Sequence, residues 1–84
     1  MEDSIAMFPF SGTASQTVPL SREASYLVIF NDGATDLTVT AGYFTTIVRA
    51  GDGFDERVNP FTTLSIVATG AYHGYCRVMP GGGR

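Results

Sequence analysis

Apolar and polar residues alternate with period two along most of the chain, and no stretch sustains the helical period of about 3.6 residues. Leu37-Thr38-Val39-Thr40 reads as a strand with Leu37 and Val39 turned inward. In Tyr43 to Arg49, Phe44, Thr46 and Val48 share one face and Tyr43, Thr45, Ile47 and Arg49 the other. Thr62 to Thr69 sets Leu64, Ile66 and Ala68 against Thr63, Ser65 and Val67. Ser25 to Phe30 departs from alternation: it is β-branched and aromatic on both faces, the pattern of a strand covered on both sides. Phe54 to Val58 is a short polar strand closed by Asn59-Pro60, and Tyr72 to Val78 completes the series.

Turn residues separate these strands. Asn31 to Asp36 tolerates left-handed backbone and bonds its own main chain, as a hairpin loop requires. Ala41-Gly42 and Ala50-Gly51-Asp52-Gly53 are tight turns. Ile5 to Phe10 and Ser15 to Leu20 add two further strands, held to edge or bulge positions by Pro9 and Pro19, because proline lacks the ladder donor. Short strands at this spacing predict an all-β fold, a single small antiparallel β-sandwich or β-barrel of six to eight short strands over residues 1–84. Residues 1–15, carrying Ile5, Met7, Phe8 and Phe10, are too apolar for a free tail. They either complete the core or form an N-terminal arm on a neighbouring subunit; residues 80–84 read as a flexible C-terminal tail.

Composition sharpens this picture. Hydrophobic residues make up 44% of the 84 and charged residues only 15%, against about 25% charged in an average soluble domain. A chain this short buries about 60% of its unfolded surface, so surplus apolar surface with little charge predicts contacts with other copies. All five basic residues are arginines (Arg22, Arg49, Arg57, Arg77 and Arg84), scattered rather than striped, which argues against nucleic-acid binding. The longest apolar run, Tyr26 to Phe30, is far too short for a membrane helix. The acidic start, Met1-Glu2-Asp3-Ser4, is unlike a signal peptide, so a cytoplasmic origin with Cys76 reduced is expected.

Candidate chemistry is sparse. Asp52, Asp55 and Glu56 sit close together in sequence and Asp32 and Asp36 share a loop, but without EF-hand spacing they read as turn chemistry rather than a calcium site. Asp55 and Glu56 point to opposite faces of one strand and cannot serve as a glycosidase pair. Cys76 and His73 likewise point apart, so no nucleophile pair forms, and Cys76 is expected to pack as a small apolar residue. No phosphate-binding glycine loop or nucleophile elbow occurs, and the expectation is a non-enzyme with no cofactor and no metal. His73, Tyr75 and Arg77 share one strand face as a polar-aromatic stripe. With Tyr43 and the arm residues Ile5, Met7, Phe8 and Phe10, they form the candidate interface. A carbohydrate reading would use Tyr43, Tyr72, Tyr75 and His73, although the lack of tryptophan counts against it.

The run from Tyr26 to Arg77 resembles small virion proteins encoded among the structural genes of tailed bacteriophages. The pattern N-D-G-x-x-D-L-T-V occupies Asn31 to Val39, A-G-x-x-F-D-E occupies Ala50 to Glu56, and P-F-T-x-L-x-I-x-A-T-G-A-Y occupies Pro60 to Tyr72. The resemblance implies a capsid decoration, head–tail or tail accessory protein. Such a protein is made in the host bacterial cytoplasm and carried on the virion. Its partners would be further copies of itself and other virion proteins such as a major capsid or tail protein, with no nucleic acid or membrane. A tail- or fibre-borne carbohydrate-binding module is the alternative. The family offers no catalytic residues to carry over.

Overall fold

The structure, a computed structural model, describes residues 4–79. The C-terminal tail assigned to residues 80–84, and the first three residues of the N-terminal segment, lie outside the described residues. The chain forms six antiparallel strands: β1 (Ile5–Gly12), β2 (Gln16–Asn31), β3 (Leu37–Ala41), β4 (Phe44–Val48), β5 (Gly53–Val67) and β6 (Tyr72–Val78). They make one open sheet in the order β1-β6-β2-β5-β3-β4, with no helix among the described residues.

Two of the strands are longer than the sequence pattern suggests. Ser15 to Leu20 and Ser25 to Phe30 are halves of one 16-residue strand, β2, and the segments on either side of Asn59-Pro60 are halves of the 15-residue β5. The polar stretches between the halves are bends rather than loops. From Pro19↔Thr63 to Ala24↔Phe61, β2 advances five residues against two on β5; from Ala24↔Phe61 to Tyr26↔Arg57, β5 advances four against two. Each surplus bulges one strand and increases its local bend and twist. Leu20, Ala24 and Phe61 fill the corner this creates, all buried.

The bends divide the sheet into two leaves. One contains β1, β6, the end of β2 and the start of β5; the other contains the start of β2, the end of β5, β3 and β4. Their inner faces share one core, with Leu27, Ile29, Tyr72, Cys76 and Val78 from the first leaf and Leu37, Val39, Val48, Leu64 and Ile66 from the second. Burial of side chains of this size contributes about 1.5–3 kcal/mol each, the main favourable term for the fold. The long strands give the molecule its extents of 38 × 21 × 19 Å.

Polar contacts pin the end of the fold where Asn31 of β2 pairs with Tyr72 of β6. Tyr72, 2% exposed, donates from its hydroxyl to the Ala14 carbonyl at 2.6 Å and accepts from Gln16 Nε2 at 2.7 Å. Ser15 Oγ accepts from the Ala68 amide at 3.0 Å, so the turn from β1 into β2 is held against the start of β6. Tyr72's cross-strand partner Asn31, 3% exposed, is the sole buried polar residue among those described. Its amide group donates to the carbonyls of Thr35 at 2.8 Å and Val48 at 2.9 Å, while its Oδ1 accepts from the Gly33 amide at 3.0 Å. Its own backbone donates to Asp52 O at 2.8 Å and accepts from Gly51 N at 3.0 Å. One side chain thereby joins the end of β2 to the β2–β3 loop and the end of β4.

Replacing Asn31 with alanine leaves two carbonyls without donors, at about 1–3 kcal/mol for each unsatisfied group. Asn31→Ala is expected to lose about 2–4 kcal/mol of stability, measured by urea titration, and to lower Tm by more than about 8 °C. A loss below about 0.5 kcal/mol would show that water replaces the side chain freely.

Candidate interaction surfaces

Strand register assembles two outward surfaces, one on each leaf. On the first leaf Phe30 pairs with His73 and Gly53, Val28 with Tyr75 and Asp55, and Tyr26 with Arg77 and Arg57. The stripe of His73, Tyr75 and Arg77 therefore shares one face, as alternation predicts, and continues across β2 onto β5. Val28 is buried on this outward face beneath its cross-strand neighbours, so the reading of β2 as covered on both sides holds at its centre. Tyr26 hydrogen-bonds Asp55, which raises the phenol pKa above its usual value, with slight desolvation and the charges of Asp55 and Glu56 acting in the same direction.

The end of this face holds a shallow recess lined by Phe30, Asp32, Asp52 and His73, with the Gly51–Gly53 turn beneath. Phe30 and His73 stack with centroids 5.1 Å apart, and His73 Nδ1 lies 2.6 Å from Asp32 Oδ2. Gly53 leaves room for the Phe30 ring: a Cβ there would stand 2.7 Å from Phe30 Cδ1. Asp32 and Asp52 figure in the sequence only as acidic turn residues weighed for calcium, and Phe30 only as a strand end. The cross-strand pairing of Phe30 with His73 is what joins them.

The second leaf presents a different surface. Thr17, Ser65, Thr40 and Thr45 form one cross-strand row over four strands, and Val67, Thr38 and Ile47 form the next. Thr40 and Thr45 join their hydroxyls at 3.0 Å. Val67 and Ile47 are 60% and 59% exposed. These two rows carry no charged side chain, in contrast to the Asp55, Arg57 and Arg77 of the first leaf.

The arm residues have partners within the chain. Ile5, Ala6 and Met7 pair with Val78, Arg77 and Cys76, and after a bulge Phe10 to Gly12 pair with Gly74 to Tyr72. Met7, Phe8 and Phe10 pack against the core, whereas Ile5 is exposed. Phe10 lies over Gly74, where a Cβ would come within 2.8 Å of its Cζ and 2.1 Å of the Val28 carbonyl oxygen. Phe8 has φ 58°, a left-handed conformation that bulky residues rarely adopt, and this strain sits in the bulge beside Pro9. Arg77 reaches Ser4, with Nε 2.8 Å from Oγ and Nη2 3.1 Å from the carbonyl, and so ties β1 to β6.

Tyr43 is fully exposed at the tip of the β3–β4 hairpin, where Gly42 takes φ 64°, the positive value that the first central position of a type II′ turn requires. It lies at the opposite end of β3 from His73. The grouping of Tyr43, Tyr72, Tyr75 and His73 as carbohydrate contacts is therefore corrected: Tyr72 is buried with its hydroxyl engaged, and Tyr43 is remote. No group of three His, Cys, Asp or Glu residues suited to a metal occurs among the described residues. No helix among them is long and apolar enough to cross a membrane.

Fold and surfaces together define a small all-β domain with one charged-aromatic face and one face crossed by uncharged, hydroxyl-rich rows. No family model matches the chain, and no match was found among curated proteins or solved structures.

Cys76 is fully buried in the shared core, and desolvation pushes its thiol pKa up to about 11. In the unfolded chain the thiol ionises near its ordinary value, so its contribution to stability is complete below about pH 9 and is lost as pH rises towards about 11. The expected outcome is a urea midpoint that falls between pH 8.5 and 10.5 by more in the wild type than in Cys76→Ala, together with negligible labelling by a thiol reagent until the protein unfolds. Rapid labelling of the native protein would contradict the burial.

Proposed function

We propose that the chain is a non-enzymatic structural component of a tailed-bacteriophage particle. It would be a homo-oligomeric capsid decoration or head/tail accessory protein that binds a protein lattice. The observation that carries this reading is the pair of uncharged rows on the outer face of the second leaf, where Thr17, Ser65, Thr40 and Thr45 flank exposed Val67 and Ile47. A solvent-facing sheet surface ordinarily carries about a quarter to a third charged residues. A flat row of hydroxyls and β-branched methyls costs little to desolvate and offers both donors and apolar contact to a protein surface. The turn-and-strand patterns from Asn31 to Tyr72 point to the same class. Repetition over a lattice offsets the several kcal/mol of rigid-body entropy that each contact costs.

Quantitative mass spectrometry of density-purified virions of the encoding phage is expected to find the chain at a fixed ratio to the major capsid or tail protein. Val67→Lys is expected to lower its incorporation by about tenfold or more with little change in Tm. Absence from purified particles would overturn the reading, and unaltered incorporation of the variant would remove this face from it.

A second reading rests on the recess of Phe30, His73, Asp32 and Asp52. An aromatic ring beside carboxylates can stack on a sugar and accept its hydroxyls, as a carbohydrate or cell-surface binding module on a tail or fibre would need. A glycan array is expected to give hits that Asp32→Ala abolishes; an array with none removes this reading.

A further inference from the structure

The two edges of the sheet differ in how they are protected. Edge strands expose unpaired backbone donors and acceptors, and stable monomers blunt them with proline, bulges or charge. β1 carries such devices: Pro9, the bulge between Met7 and Phe10, and the left-handed Phe8. β4, at the other end of the sheet, carries none. Its sequence Phe44-Thr45-Thr46-Ile47-Val48 has no proline, no charge and no bulge, and its register with β3 is unbroken over all five residues. Among the described residues its far side has no strand partner.

We propose that β4 pairs antiparallel with β4 of a second copy, about a two-fold axis through Thr46, to make one continuous sheet across two chains. This rests on the assembly reading above and names its first contact. The register follows from complementarity. Centring the pair on Thr46 brings Phe44 opposite Val48 of the second copy on the inner face, an aromatic–β-branched pair of the kind that stabilises sheets. On the outer face it brings Ile47 opposite Thr45, so the uncharged row continues across the junction. At both ends it sets the fully exposed Tyr43 opposite Arg49, whose side chain is 77% exposed and whose guanidinium lies 3.8 Å from the half-exposed Asp36 carboxylate. A tyrosine ring facing a guanidinium is an attractive pair, and two-fold symmetry makes it twice.

Such a contact is isologous and uses up the edge, so it closes at two copies. Five residues per chain bury less than the roughly 1,200 Å² of a standing complex. The pairing is therefore concentration-dependent in solution and strengthened where a lattice holds copies together.

Full-length Tyr43→Cys and Arg49→Cys chains, oxidised separately and as an equal mixture, test the register. The mixture is expected to give disulfide-linked dimer about tenfold or more above either chain alone, because the pairing places residues 43 and 49 side by side and separates like from like. In sedimentation across a dilution series, wild type is expected to show a monomer–dimer equilibrium that Thr45→Lys/Ile47→Lys weakens about tenfold or more, with Tm nearly unchanged. A dimer without the 43–49 cross-link and indifferent to the lysines would overturn β4 pairing yet leave the assembly reading standing. A monomer at every concentration would also overturn the pairing, while virion incorporation decides the assembly reading separately.

Discussion

The β2–β3 loop and the end of β4 depend on the Asn31 side chain. A strand that ends in the core and turns back must satisfy carbonyls that no ladder reaches, and here one amide does so for Thr35 and Val48 while its oxygen holds Gly33. Hydrophobic burial supplies most of the folding energy, but it does not choose a register. Asn31 does, because a shift of one residue would turn it to solvent and leave those carbonyls buried and unpaired. The recess beside it inherits this rigidity. Asp32 follows Asn31 directly, its amide is held by the Ala71 carbonyl at 2.9 Å, and its carboxylate meets His73.

The second constraint is the pair of bent strands. A small chain with one cysteine has no disulfide to staple it, so it needs a core closed on both sides. β2 and β5 provide this by running through both leaves. Ala24 and Phe61 mark the crossing, where the register surplus passes from one strand to the other. The bends also explain why the outward faces differ in chemistry: the charged residues gather where β2 lies between β5 and β6, and the hydroxyl rows where β5 meets β3.

Much of this was legible in the alternation of residues. The inward sets Leu37 and Val39, Leu64 and Ile66, and Tyr72, Cys76 and Val78 follow from period two alone, because a pleated strand admits no other assignment. The shared face of His73, Tyr75 and Arg77 follows in the same way. What alternation could not show was continuity. Ser21-Arg22-Glu23 and Asn59-Pro60 carry the residues of turns, yet a bulge tolerates the same residues as a turn, and the chain passes through both as strand. The recess was hidden for a related reason. Phe30 and His73 are distant in sequence and meet only through the pairing of β2 with β6. Asn31 wears the composition of a hairpin loop, and only burial shows that its side chain braces three segments.

The pairing of β1 with β6 governs the order in which this chain can be finished. During synthesis Ile5 to Gly12 are made well before Tyr72 to Val78 and must wait for them before any ladder is open. Until then Phe8 and Phe10 have no core to cover, and Gly74, whose missing side chain makes room for Phe10, has not left the ribosome. Closure of this edge is thus deferred until β6 has been made, and the apolar β1 segment stays uncovered until then. Where many copies are made at once, that interval recurs on every polysome, with neighbouring unfinished chains within reach of one another.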